Sequence, residues 1–186
     1  MKKPRLTPAD WIFAGFNALA KDGPSALKAE ALARRLSTTK GSFYWHFSDV
    51  PSYHAAMMEL WEQRAVKDIV ADLEPVSDPR DRLRALAQAT TYTPKGLEQG
   101  NQAEAAIRAW AQSSQVVREA VATVDASRMK YLLDLCTQAG IPAVPFARII
   151  YAAYVGLEEL PRPNDQAQTE MITLIDLILE QFPPTP

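Results

Sequence analysis

Ser37-Thr38-Thr39-Lys40-Gly41-Ser42-Phe43-Tyr44-Trp45-His46-Phe47-Ser48-Asp49 crowds small hydroxyls, a lysine, a glycine and four aromatic rings into a few helical turns. Thr39 suits a helix N-cap, because its hydroxyl accepts a backbone N–H of the first turn. Lys40, Gly41 and Ser42 then occupy that first turn, the part of a helix that meets base edges when it enters a major groove. Phe43 and Phe47 are four apart and share a face, so they anchor the helix to the rest of a domain. Tyr44 and His46 lie off that face, with polar tips free to reach phosphate oxygens.

Taken alone, the stretch is a short amphipathic helix with aromatic core residues. The residues before it add a second element. Leu27-Lys28-Ala29-Glu30-Ala31-Leu32-Ala33-Arg34-Arg35-Leu36 carries Ala29, Leu32, Ala33 and Leu36 on one helical stripe. Two short helices joined by a tight turn at Ser37-Thr38 form a helix-turn-helix. The small alanines let the pair cross closely.

The segment from Leu32 to Phe47 resembles the DNA-binding signature of TetR-type transcriptional regulators. The resemblance is carried by Leu32-Ala33, Leu36-Ser37, Thr39, Gly41-Ser42, Phe43, Tyr44 and His46-Phe47. It covers about the first third of the chain at the level of motif and the remainder at the level of architecture. It implies a DNA-facing set of Lys28, Thr38, Thr39, Lys40, Gly41, Ser42, Tyr44, Trp45 and His46. Three positions depart from the pattern. Ser37 stands where glycine is usual, so a left-handed turn there carries a steric cost. Lys28 replaces a threonine cap, and Val50 replaces a lysine, which removes a phosphate contact, so DNA binding is expected to fall steeply with salt but with a slope shallower than in most relatives.

Charge is distributed to match. Residues 1–54 carry a net +4 and the remainder a net −6, within an overall −2. A basic head on an acidic body suits a chain that presents one end to a polyanion. Its 186 residues, nearly half of them apolar, suffice for a proper core. The single cysteine, Cys136, lies in an apolar helical run and reads as a buried, inert thiol. No apolar run approaches the roughly 20 residues that span a bilayer, and the N-terminus has no signal-peptide core. A cytoplasmic protein without membrane contact is the expectation. His46 and His54 are the only histidines, with no ligand cluster, phosphate loop or nucleophile elbow. Neither catalysis nor a metal or cofactor is expected. His54 reads as a surface residue.

The rest of the chain is helical by pattern, and no sustained period-two alternation signals a strand. Thr7-Pro8-Ala9-Asp10 opens a helix that Asp22-Gly23-Pro24 stops. Ser48-Asp49-Val50-Pro51 opens a long helix from Tyr53 to Leu73, the expected lever between two domains. Asp78-Pro79 opens another, through Thr90. Residues 92–102 carry Pro94, Gly96 and Gly100 and read as an irregular connection. Helices follow over 103–112, from Ser113 or Ser114 to Gly140, over 144–160 and over 165–182. The expected fold is all-α, with about nine helices: residues 1–50 a DNA-binding domain, residues 51–186 an effector-binding and dimerisation domain.

Broad apolar faces on the last two helices predict a homodimer through residues 144–182, burying them in a four-helix bundle. The resemblance implies a small-molecule effector as a second partner besides a double-stranded operator. Trp61, Leu86, Tyr92, Arg108, Trp110, Met129, Tyr131, Tyr151 and Tyr154 are the candidate lining residues, with Arg108 and Asp125 able to pair or to orient a ligand. The function expected is a repressor released from a pseudo-palindromic operator by that effector. The alternatives are an adaptor that keeps the helix-turn-helix shape without binding DNA, and a DNA-binding protein without an effector.

Overall fold

The computed structural model describes residues 5–89, 100–160 and 169–184, and these are helical, without a strand among them. Its helices are α1 (Pro8–Asp22), α2 (Ala29–Arg35), α3 (Lys40–His46), α4 (Val50–Glu62), α5 (Ile69–Leu73), α6 (Pro79–Ala89), α7 (Gly100–Ala111), α8 (Gln115–Gln138), α9 (Ala143–Glu159) and α10 (Thr169–Gln181). A π-helical stretch, Gln63–Asp68, lies between α4 and α5 in sequence with no loop on either side. Counted with that run as one, nine helices lie among the described residues. In the π-helical stretch residues five apart come into register, and Gln63 Nε2 donates to Asp68 Oδ1 at 2.7 Å. The irregular connection expected over 92–102 begins outside the described residues, but Gly100 to Gln102 are already helical.

By contacts the chain forms two compact units, Met1–Trp61 with Thr93–Val121, and Glu62–Tyr92 with Ala122–Pro186. This division differs from a cut at residue 50, because α7 packs along α1 and joins the first unit.

In the first unit, α1 begins with the expected reciprocal cap. Thr7 donates its backbone N–H to Asp10 Oδ2 at 2.7 Å, and Asp10 donates its own to Thr7 Oγ1 at 3.3 Å. The Thr7 N–H and, at 2.7 Å, the Thr7 hydroxyl both donate to Asp10 Oδ2 and hold its carboxyl below the usual range. Trp11, Ile12, Phe16 and Leu19 are buried from α1, Leu32 and Ala33 from α2, Phe43 from α3 and Tyr53 and Met57 from α4. Phe43 is the hub: its ring centroid lies 5.4 Å from Trp11, 5.3 Å from Phe47 and 5.2 Å from Tyr53. Trp11 is thus a core residue.

The turn between α2 and α3 takes the left-handed form, with Ser37 at φ 51. Ser37 donates to the Arg34 carbonyl at 3.1 Å and Thr38 to the Ala33 carbonyl at 2.9 Å, the paired bonds of a Schellman motif. A non-glycine residue there costs about 1–2 kcal/mol, against about 0.5–1 kcal/mol of extra chain entropy that glycine loses on folding. Ser37→Gly is therefore expected to stabilise the head by about 0.5–1 kcal/mol, read as a rise in the urea midpoint at unchanged slope.

In the second unit, α6, α8, α9 and α10 enclose a core of Leu83, Leu132, Leu135, Cys136, Ile150, Met171, Ile175 and Leu179 among others. Burial pushes the Cys136 thiol up to about 11, consistent with an inert side chain. Arg80 fastens the end of α10 to the start of α6. Its guanidinium donates to the Phe182 carbonyl at 2.6 Å, the Leu179 carbonyl at 2.5 Å and the Ala139 carbonyl at 3.4 Å. These are carbonyls a helix end leaves without backbone partners, and a cation there also suits the helix dipole.

Candidate nucleic-acid interface

Thr39 starts α3 as the sequence required, its hydroxyl accepting the Ser42 N–H at 3.3 Å. With Phe43 and Phe47 turned inward, the opposite surface of α3 is left to solvent. Lys40 and Gly41 are exposed, Ser42 and His46 half-buried, and Tyr44 is 45% and Trp45 72% exposed. Thr39 and Lys28 are exposed and Thr38 half-buried, so all nine sequence-assigned residues lie on α3 or on the residues leading into α2 and α3. A Cβ added at Gly41 would meet nothing closer than Thr39 Oγ1 at 3.7 Å. The protein's own packing does not demand a glycine there.

The cations of this surface are held by neighbours. The Lys40 ammonium pairs with Glu30 on α2 and lies 5.7 Å from the centre of the Tyr44 ring. That pairing raises the lysine pKa and lowers the glutamate's. The Arg5 guanidinium sits 5.0 Å above the Trp45 ring, and Arg35 pairs with Asp22. Lys28 caps α2 with backbone alone, its side chain making no capping bond. Asp49 and Ser52 close the start of α4 reciprocally, Ser52 N–H reaching Asp49 Oδ1 at 2.7 Å and Asp49 N–H reaching Ser52 Oγ at 3.2 Å. Helix α4 therefore begins soundly without the lysine that Val50 replaces.

His54 corrects the expectation of a surface residue. It is half-buried, its ring centroid 4.8 Å from that of Trp110 and edge-on to it. Burial lowers its pKa, with a bond to the Leu27 backbone opposing the shift. The imidazole is thus a packed, neutral part of the first unit, and the partner that covers it comes from a distant segment.

The effector candidates divide between the units. Trp61, Arg108 and Trp110 belong to the first, where Trp61 and Trp110 are buried and Arg108 donates to Glu104 at 2.9 Å and 3.2 Å. That pair is spaced i, i+4, a spacing the sequence itself carries. Leu86, Met129, Tyr131, Tyr151 and Tyr154 belong to the second unit and pack half-buried against its core. Tyr92 lies outside the described residues. Tyr151 and Tyr154 stack with centroids 6.2 Å apart, Tyr151 donates to Asp125 Oδ1 at 2.6 Å, and the Arg128 guanidinium lies 5.1 Å from the Tyr154 ring. Arg128 thus joins the polar and aromatic cluster. Tyr131 instead lines an open groove of about 460 Å³ with Val66, Lys67, Val70, Ala71, Glu74 and Arg82. Among the described residues no group of three or more His, Cys, Asp or Glu could hold a metal, and no helix is long and apolar enough to cross a membrane.

A capped short helix, held from behind by rings and preceded by a second helix across a tight turn, is a helix-turn-helix, the arrangement that can lay its second helix in a major groove. Residues 12–49 match the family model described as bacterial regulatory proteins, tetR family. Known structures share the architecture at low identity. A transcriptional regulator from Rhodococcus sp. Rha1 is 19% identical, with 97% of this chain and 100% of that one covered and a TM-score of 0.78. The TetR family regulator PfmR from Thermus thermophilus is 18% identical, covering 91% and 97%, with a TM-score of 0.72. A transcriptional regulator from Saccharomonospora viridis, solved in complex with choline, is 15% identical, covering 93% and 95%, with a TM-score of 0.76. No curated protein matches the sequence. Residues 12–49 thus carry a segment similar to the one that family model describes, and the known structures share the all-α fold of the chain.

Proposed function

We propose that the chain acts as a homodimeric repressor that leaves a pseudo-palindromic operator when a small molecule binds its second unit. The observation that carries this reading is the outward face of α3, where Lys40, Gly41 and Tyr44 are exposed on a helix whose other side is locked by Phe43 and Phe47. Lys40, Gly41 and Ser42 address base edges and the adjoining phosphates. Thr38, Thr39, Tyr44, His46, Lys28 and Trp45 position the head on the backbone.

Dimerisation runs through residues 144–182. Val144, Ile149 and Leu177 are large apolar side chains exposed on the single chain, on α9 and α10. A second copy covering them forms a four-helix bundle about a two-fold axis, and two heads roughly 34–36 Å apart then read half-sites one duplex turn apart. The effector seats against the second unit's polar and aromatic cluster around Tyr151 and Tyr154, with Asp125 and Arg128 orienting it. To release DNA it need only bind more tightly to the state whose heads are wrongly spaced. Stabilisation against heat by a bound effector detects it independently of DNA.

Selection of bound fragments from random duplex DNA tests the reading, and a palindromic consensus with a steep loss of affinity in salt is the expected return. Failure to enrich any sequence would leave an all-helical protein that does not read DNA. On the selected duplex, Lys40→Ala and Tyr44→Ala are each expected to weaken binding about tenfold, with the melting temperature little changed. Gly41→Ala separates the two properties further. It is expected to stabilise the fold by up to about 1 kcal/mol through helix propensity while weakening binding, because the added methyl faces the duplex.

A further inference from the structure

We propose that Glu30 is a specificity-determining residue for DNA binding, acting by holding the Lys40 ammonium in the free protein and surrendering it only to a duplex with a better acceptor. The inference rests on the DNA-binding reading above and adds a residue that belongs to α2, outside the set that meets DNA.

Glu30 and Lys40 face each other across the turn of the helix-turn-helix, on exposed side chains, and are paired in the structure. Lys40 stands at the first position of α3, where a cation meets either a guanine edge or a phosphate. In the free head the lysine is not a loose point charge, because Glu30 holds it on one side and the Tyr44 ring lies 5.7 Å away on another. Random duplex offers phosphate oxygens, which replace the carboxylate with little gain and leave Glu30 close to a polyanion without its counter-charge. A site that presents a correctly placed base acceptor adds an interaction that random sequence lacks, and offsets that loss. Glu30 is an exposed carboxylate, charged at neutral pH as such groups ordinarily are, and it repels phosphate whenever Lys40 departs. An exposed ion pair contributes little to stability, so retaining it tunes binding with little effect on folding.

Substitution Glu30→Gln keeps the shape of the side chain and removes its charge. Binding by fluorescence anisotropy is compared on the selected duplex and on a random-sequence duplex of equal length, across a salt series, for wild type, Glu30→Gln, Lys40→Met and the double variant. Glu30→Gln is expected to tighten random-duplex binding roughly fivefold at low salt, steepening the salt slope by about two per dimer. Binding to the selected duplex gains less, so the specificity ratio falls. The gain on random duplex shrinks when Lys40 is already Met, which shows that Glu30 acts through the lysine. Equal affinities and slopes for wild type and Glu30→Gln overturn the proposal, as does a gain undiminished in the Lys40→Met background. Circular dichroism melts confirm that each variant folds. Absence of DNA binding by the wild type itself would instead strike at the regulator reading.

Discussion

Phe43→Ala is expected to lower the stability of the protein by about 3–5 kcal/mol, the cost of removing a fully buried ring and leaving a cavity. Phe43 is wholly inaccessible and touches rings from α1, α3 and α4: Trp11, Tyr44, Phe47 and Tyr53. Edge-to-face pairs of this kind add about 0.5–1.5 kcal/mol each beyond the area they bury. Since a native chain holds only about 5–15 kcal/mol in reserve, one substitution removes a large part of it. At about 2–4 °C per kcal/mol for a chain of this length, the melting temperature is expected to fall by roughly 10 °C or more. DNA binding is lost with it, because α3 no longer has a wall to lean on. The neighbouring Tyr44→Ala, on the exposed side of the same helix, gives the control in which binding falls and stability does not. A Phe43→Ala protein that melted like wild type would show α3 anchored by something other than its rings.

Gly15→Ala is expected to destabilise by about 2–3 kcal/mol, reversing the usual effect of that exchange. In an open helical position alanine gains up to about 1 kcal/mol over glycine. Here its Cβ would stand 1.9 Å from the Tyr53 hydroxyl oxygen, 3.0 Å from its Cζ and 3.1 Å from Met57 Sδ. Tyr53 cannot retreat cheaply: it is fully buried, and its hydroxyl donates to the Trp11 carbonyl at 2.8 Å. Displacing the ring breaks that bond and strands a buried hydroxyl, costing about 1–3 kcal/mol, with overpacking adding a similar amount. Urea denaturation of Gly15→Ala, Tyr53→Phe and the double variant checks the mechanism. Because the phenolic oxygen is the nearest atom, removing it makes room, and the double variant is expected to be more stable than the sum of the single effects predicts.

The features that were legible in the sequence are local ones. The cap formed by Thr7, Pro8 and Asp10 could be read because every partner lies within one turn. The same holds for Thr39 with Ser42, and for the cost of serine at position 37. Leu32, Ala33, Phe43 and Phe47 were legible because helical spacing fixes which face is apolar. Spacing does not say what covers that face. Nothing in the periodicity of α1 names α7 as its neighbour, and the Trp110 ring that shelters His54 comes from 56 positions further along. The π-helical stretch Gln63–Asp68 left no mark either, since one extra residue in a turn barely disturbs the apolar pattern. Asp125 stands out in the sequence as a charge among apolar residues. Its link to Tyr151 depends on two helices meeting, which no single-helix pattern encodes.

That α7 packs along α1 also bears on how the chain is made. Translation proceeds from the N-terminus at roughly 5–20 residues per second, so α1 is complete on the order of ten seconds before α7 leaves the ribosome. During that interval the part of α1 that α7 will cover is still without that neighbour. The first cooperative unit cannot close until α7 has been made.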